Sequence, residues 1–453
     1  MSQLIIRVAV CLMCVHPLIA ADWTRFRGPN GAGSVAEPVP VTWNNSEHLK
    51  WKTELPGPGL SSPIIVGDRV IVTCWSGYAD GSSDDGSLED LKRHVVCVDR
   101  TSGDILWNHA EPAALPEDRF EGMFAENGYA SHTPATDGKH VYAFLGKSGV
   151  IALQLSDGQP VWRQQVGDNR EERGWGSASS PILHDGKVIV PALIESDTLV
   201  ALDAATGDVA WKQEVPGYTS TWSTPIVVEA EDRTDLVLSV PGEVWGLNPD
   251  SGKLRWYCEI PGSDDARASV IADDVTVIAM AGGRGASTSI AVKAGGKGDV
   301  AESMKVWQGR DASGISTPVV YEDRLFVVNN KVLTVVDRET GRRMKQIRLT
   351  GGSGSTGQDR ESSGQRGEGR GGREGSYRRG PGGQDYSSPI IAGHHLYYTT
   401  RQGDVFVYDV QDDPKLTAVN RFDDGGEYNS TPAASDGQLF LRSTKFLYCV
   451  AAE

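Results

Sequence analysis

This sequence is short of cysteine, methionine, basic charge and long apolar runs. Of its 453 residues six are Cys and six are Met, and beyond position 21 the cysteines are Cys74, Cys97, Cys258 and Cys449. Four scattered thiols exclude a disulfide scaffold and give no zinc pattern. Cys97 and Cys449 sit in matching strand stretches (VVCVD and LYCVA) and read as small apolar core filling, while a Cys74–Cys97 bridge between neighbouring strands stays open. Lys and Arg number 44 against 60 Asp and Glu, a net charge of −16, which argues against nucleic acid as a partner because phosphates are repelled. Past Ala21 no apolar stretch reaches bilayer-spanning length, so no transmembrane segment is expected.

Local catalytic motifs are missing too. There is no GxSxG and no reactive-cysteine setting, and the nine His show no metal-ligand spacing. Gly146-Lys147-Ser148 lacks the earlier glycine of a phosphate loop, and Gly352-x-Gly354-x-x-Gly357 has no strand–turn–helix around it. Asp80, Asp84, Asp85, Glu89 and Asp90 form an acidic loop, but the sixth position from Asp80 is Asp85 where a calcium loop needs Gly. The expectation is therefore no resident metal and no catalytic residue that can be named.

Residues 1–21 read as a secretory signal peptide. Arg7 is the basic flank, Val8 to Ile19 is an apolar run too short to span a bilayer, and Ala20-Ala21 offers a small-residue cleavage site. Leu12-Met13-Cys14 lacks the small residue expected before a lipid-modified cysteine. The expected location is periplasmic or secreted.

What the chain does have is a repeated hairpin. LVALDAATGDVAW, ending at Trp211, recurs as VVCVDRTSGDILW to Trp107, VIALQLSDGQPVW to Trp162 and EVWGLNPDSGKLRW to Trp256. A weaker copy, LTVVDRETGRRMK, has Met344 where Trp is expected. Each hairpin follows an opening of small residues, Pro, a short apolar run and an Asp/Gly turn, as in SSPIIVGDRVIV at Ser61 and SSPILHDGKVIVPA at Ser179. Eight such openings occur, starting at Ser61, Ser131, Ser179, Trp222, Ala268, Ile315, Ser387 and Asn429. Four short strands per unit at this period indicate a β-propeller, an array of twisted sheets around an axis.

The eighth unit stops at LYCVAAE without a fourth strand, and LKWKTELPG (Leu49 to Gly57) is a fourth strand with no unit before it. The fold class is therefore an all-β, eight-bladed propeller of four-stranded antiparallel blades, a single domain over 22–453 closed by the N-terminal strand, which removes sheet edges. Trp51, Trp107, Trp162, Trp211, Trp256 and Trp307 are expected between blades, where an indole fills the gap. The fifth blade, Ser269 to Trp307, lacks the Asp-x-x-Thr-Gly turn and should be the least regular.

Three insertions break the period: Tyr78 to Leu91, Glu111 to Gly128, and Thr350 to Asp385. The third, Gly/Arg/Ser-rich with almost nothing apolar, should be disordered. All three join strands B to C or one blade to the next, so they share one face, while A–B and C–D turns opposite stay short. Residues just before each first strand should gather at that mouth: Tyr129, His132, Arg173, Trp175, Trp222, Arg267, Tyr386, Tyr428 and Asn429. Aromatics and Arg there suit a planar cofactor, a sugar or a peptide.

The xLDxxTGxxxW hairpin resembles the quinoprotein-type (PQQ-like) β-propeller repeat, and the resemblance covers nearly everything after residue 21. It implies one of two activities. One branch holds quinone-dependent alcohol and glucose dehydrogenases, marked by adjacent cysteines and by Glu, Asn and Asp around calcium. The other holds non-enzymatic propellers such as the outer-membrane assembly factor, which bind a partner through one face. This sequence has no adjacent cysteines, so the expectation is a non-catalytic monomer without a cofactor that binds an envelope protein or a small ligand at the funnel mouth. The alternative is an oxidoreductase using pyrroloquinoline quinone with calcium, and a sugar-binding or lyase-type propeller comes third.

Overall fold

The computed structural model describes residues 22–82, 86–170, 173–218, 220–262, 264–282, 287–351 and 384–452. The signal-peptide reading, Asp84, Asp85 and nearly all of the third insertion lie outside them.

Strands pair into eight separate sheets in chain order, each a blade with strands A to D running outward from the axis. Blade 1 is Ile64–Val66, Arg69–Ser76, Lys92–Asp99 and Ile105–Pro112. The burial pattern explains the sequence pattern. Strand B of blade 1 is buried along RVIVTCWS on both sides, because both faces of a blade pack on neighbours. Strand D alternates, and in ILWNHAEP the buried residue is Trp107. The core is thus a series of clusters between adjacent blades. One joins Tyr142, Phe144, Ala152 and Trp162 of blade 2 to Val188, Val190, Val200 and Leu202 of blade 3.

Blade 8 confirms the closure. Its strands Ala433–Ser435, Gln438–Arg442 and Phe446–Ala451 are completed by Leu49–Glu54, antiparallel, with Trp51 opposite Cys449. Trp107 stands opposite Cys97 in the same register, so the two cysteines are equivalent as expected. All four described cysteines are free and buried. Cys74 stands opposite His94 and Cys97 opposite Ile71, and the thiols belong to different inter-blade clusters, which removes the Cys74–Cys97 bridge.

Docking between blades follows one rule. Each indole N–H donates to a backbone carbonyl in the hairpin of the next blade: Trp51 to Arg100 at 2.9 Å, Trp107 to Leu155 at 3.0 Å, Trp162 to Ala204 at 2.9 Å, Trp211 to Pro249 at 2.9 Å, and Trp307 to Arg338 at 2.8 Å. The ring lies flat on the hairpin glycine. Gly207 has φ +80°, and a Cβ there would stand 2.6 Å from the Trp162 ring. The TG of the repeat therefore serves both a left-handed turn and a stacking floor.

Where the glycine hairpin is missing, the tryptophan changes role. Blade 5 lacks it, and Trp256 of blade 4 turns instead to Asp235 of its own blade, 2.7 Å away, beneath a fully buried carboxylate. The connection between strands C and D of blade 5 supplies the missing cover. Gly298–Asp299 pairs in parallel with Trp256–Tyr257 as a fifth strand, so this connection is long, contrary to the expectation of short C–D turns throughout. In blade 6 the register puts Lys345, not Met344, at the tryptophan position opposite Val335. Lys345 reaches Asp413 of blade 7 at 2.6 Å, while Met344 is exposed.

The N-terminal segment does more than close the ring. Trp23 bridges Ile65 of blade 1, and Thr24 O accepts from Thr136 N of blade 2 at 3.0 Å. Arg25 donates to Pro225 O of blade 4 at 2.7 Å, and Arg27 to Pro318 O of blade 6 at 2.7 Å and Pro389 O of blade 7 at 2.9 Å. Ser34–Val35 then pairs with Ile391–Ala392 of blade 7. Because Asp22 Oδ1 accepts from Gly67 N in an A–B turn, this crossing lies toward the short-turn side of the bore. It stoppers the ring.

Candidate functional site

Above the stopper lies a cavity of about 130 Å³ on the axis, with Phe26 contributing to its lining. Its wall is a belt of hydroxyls, one per blade: Ser62, Thr133, Ser180, Thr224, Ser269, Thr317, Ser388 and Thr431. Seven precede Pro, and Ser alternates with Thr all the way round. The proline holds the preceding residue extended, which aims each small side chain sideways at the next blade. Ser62 N donates to Thr133 Oγ1, Thr133 N to Ser180 Oγ, Ser180 N to Thr224 Oγ1, and Thr224 N to Ser269 Oγ, all at 2.9–3.0 Å. Ser269 N to Thr317 Oγ1, Thr317 N to Ser388 Oγ and Ser388 N to Thr431 Oγ1 continue it at 2.9–3.0 Å, and Thr431 N returns to Ser62 Oγ at 3.1 Å. Eight bonds make a closed circle.

The residues expected at the mouth divide into two groups. Trp175, Trp222, Arg267, Tyr386 and Asn429 line the cavity together. Trp175 and Trp222 form a tilted pair 5.5 Å apart, with the Arg267 guanidinium 5.1 Å over the Trp175 ring. Trp222 is buried, and its N–H donates to Gly176 O at 2.8 Å. Arg267 is held by Asp265, and Arg173 stands at the rim 3.7 Å from both Asp264 and Asp265. Tyr386 donates to Glu126 at 3.3 Å, and Arg401 ties Glu126 to Glu427. That contact joins Tyr386, the residue directly after the third insertion, to Glu126 of the second. Burial and the Glu126 carboxylate push the Tyr386 phenol up to about 12.

Tyr129, His132 and Tyr428 are elsewhere. Tyr129 is buried under the second insertion, against Trp75 and Phe124, with its hydroxyl on Asp118 O at 2.5 Å. Tyr428 packs near Tyr448 at 6.4 Å and floors Gly403. His132 lies in a polar pocket between blades 2 and 3, its Nε2 2.9 Å from Ser177 Oγ, and burial drives its pKa down to about 3. Ser177 donates to Glu195, whose other carboxylate oxygen has no partner and whose pKa burial raises to about 7. Arg93 pairs with Glu117 in the same pocket. These three residues were placed at the mouth by their distance from the following strand. Aromatic size wins over position for the two tyrosines, which fill holes beneath loops, while His132 is drawn into the polar pocket by Ser177.

Sequence reasoning missed the belt and the stopper. The belt's signal was present as Ser or Thr before Pro, but that pair reads equally as a strand start. The stopper segment DWTRFRG carries no repeat. The acidic loop is also less open than it reads, since Asp80 accepts from Gly77 N at 2.8 Å and Asp90 from the Ser87 hydroxyl at 2.7 Å. One three-ligand group exists among the described residues: His394, His395 and Asp409, with ligand atoms within 4.8 Å on the short-turn side of blade 7. Strand register, not sequence spacing, brings His395 opposite Asp409.

Several known proteins are similar to this chain. A polyvinylalcohol dehydrogenase of Sphingopyxis sp. (strain 113P3) is 24% identical over 262 residues, 48% of this chain and 36% of that one. The chain thus spans about a third of the length of the polyvinylalcohol dehydrogenases it matches. Among solved structures, BamB from Moraxella catarrhalis superposes with a TM-score of 0.58 at 13% identity, over 89% of this chain and 97% of that one. A europium-containing methanol dehydrogenase superposes with a TM-score of 0.62 at 12% identity, over 95% of this chain and 98% of that one. At such identities the structures share the fold. No helix among the described residues is long and apolar enough to cross a membrane. The sequence profile described as outer membrane protein assembly factor BamB matches residues 91–347, more than half of the chain, which therefore belongs to that family.

Proposed function

We propose that this chain is a periplasmic or secreted, non-catalytic monomer that binds an envelope protein or a small ligand through its long-loop face. One observation carries the reading. The bore is stoppered by the crossing of Arg25, Phe26 and Arg27, so its cavity opens on the opposite face, where Tyr386 meets Glu126 of the second insertion. Family membership supports the same choice, because the matching profile is described as an assembly factor.

The second reading, an oxidoreductase using pyrroloquinoline quinone with calcium, is favoured by the similarity to polyvinylalcohol dehydrogenases. The donor set weighs against it. Among the described residues no carboxylate lines the cavity, and hard cations need oxygen ligands of that kind. The acids at the rim are committed, Glu126 to Arg401 and Asp265 to Arg267. These residues do not fit a calcium-held quinone.

Purified protein incubated with pyrroloquinoline quinone and calcium is expected to retain no quinone absorbance after gel filtration. It is also expected to show no dye-linked oxidation of alcohols, aldoses or polyvinyl alcohol. One quinone retained per chain, with turnover, overturns the scaffold reading.

A further inference from the structure

We propose that the axial cavity is a binding well for a small organic anion, a carboxylate that also carries hydroxyl groups. This rests on reading the long-loop face as the binding face and names what its cavity takes.

The belt supplies donors. Each of the eight hydroxyls accepts a backbone N–H from the neighbouring blade, and none of them donates to a protein acceptor among the described residues. Eight O–H groups therefore line one small space, and none of them reaches an acceptor there, the Asn429 carboxamide oxygen included. Among the described residues no Asp or Glu lines it to take them up. Hydrogen bonds to an ionised acceptor are shorter and roughly twice as strong as neutral ones, so an oxyanion answers this wall best.

Charge points the same way. Arg25 and Arg27 are 8% and 1% exposed, and the described structure gives them carbonyl partners rather than carboxylates. Arg27 bonds the carbonyls of Pro318 and Pro389, the residues directly after belt members Thr317 and Ser388. Arg25 bonds that of Pro225, directly after Thr224. Two guanidiniums thus sit one residue below the belt, and Arg25 Nε is buried without a partner. Burial alone pulls both pKa values down to about 9, so both stay charged at neutral pH. A third guanidinium, Arg267, stands at the mouth. In a low-dielectric bore such nearby charges act more strongly on a ligand than the distant, screened surface acids that give the whole chain its net charge of −16.

The hydroxyl on the ligand follows from Asn429. It is 6% exposed, lines the well, and its carboxamide oxygen has no partner, so it needs a donor that a bare carboxylate lacks. Size sets the limit. The well measures about 130 Å³, which suits a small acid and not an extended chain.

Malate, succinate, sulfate and glycerol, titrated by calorimetry into the full chain at constant ionic strength, test the proposal. Malate is expected to bind one per chain, succinate and sulfate more weakly, and glycerol not at all. Arg267→Gln should weaken malate about tenfold in a chain that circular dichroism shows to be folded, whatever the loss of the Asp265 pair does to its melting temperature. Asn429→Ala should abolish the preference for malate over succinate while leaving succinate binding intact. If neither malate nor sulfate saturates at millimolar concentration, if glycerol binds equally, or if both variants bind like the parent, the well is not an anion site. The quinone assay is read separately, so failure of the well and failure of the scaffold reading remain distinct.

Discussion

The backbone N–H of Thr431 donates to the hydroxyl of Ser62 across 3.1 Å, although 369 residues of chain separate them. It is the bond that turns seven neighbour-to-neighbour links into a circle. Ser62→Ala would leave the Thr431 N–H buried without an acceptor, at a cost of about 1–3 kcal/mol. Ser46→Ala, on an exposed loop, should stay within about 0.5 kcal/mol. Urea denaturation of the two variants checks the difference.

Glycine in the repeat should be unequal in the same way. Gly207→Ala places a Cβ 2.6 Å from the Trp162 ring at φ +80°, while Gly186→Ala at φ +69° meets nothing within 4 Å. Left-handed strain costs about 1–2 kcal/mol at either position. Crowding adds about 1–3 kcal/mol only at Gly207. Thermal melts should rank Gly207→Ala well below Gly186→Ala.

The tryptophans should separate by burial. Trp211→Ala removes an inter-blade indole 8% exposed and should cost about 3–5 kcal/mol. Trp222 is equally buried, so Trp222→Ala is expected to destabilise as Trp211→Ala does. Trp175, partly exposed above the cavity, is the one whose replacement should weaken ligand or partner binding while the ring melts near the parent temperature. Melting curves paired with a binding isotherm for each variant settle the roles.

Glu195 should make the fold pH-sensitive. Burial raises its carboxyl from 4.5 to about 7, outweighing the Ser177 bond and the Arg93 charge that lower it. The folded chain thus holds a proton that the unfolded chain releases near 4.5, so this contribution is full below 4.5. It falls as pH rises and is lost above 7, by about 3 kcal/mol at most. Glu195→Gln should flatten the stability profile between pH 4.5 and 7. A variant that keeps the parent slope would assign the titration to another group.

Much of this architecture is written in the sequence because the repeat repeats. The xLDxxTGxxxW hairpin names its own partner: the glycine of one copy receives the tryptophan of the one before. The eighth blade's missing strand and the orphan around Trp51 match by the same logic. The site is harder to read because its parts come from places with no common pattern. Trp175, Trp222 and Arg267 are all expected at the mouth and do meet over the cavity, although Trp222 proves to be a buried packing residue as well. Tyr129 looked the same in sequence and is a loop's core residue. Arg25 and Arg27 bond carbonyls that are 200 and 291 or more positions away, a pairing that no local pattern encodes.

The stopper also imposes an order of assembly. Residues 22–35 lean on blades 1, 2, 4, 6 and 7, and Leu49–Glu54 on the last strand of all, Phe446–Ala451. The Leu49–Glu54 strand therefore has no strand to pair with until the last one, Phe446–Ala451, has been made. Domains ordinarily acquire structure from the N-terminus as they are made. Here Trp43 and Trp51 must wait, because their partners lie in the last two blades, Trp43 stacked on Tyr397 and Trp51 opposite Cys449. Long-range closure of this kind slows folding and leaves apolar surface open meanwhile. A ring of this kind fastens last where it began.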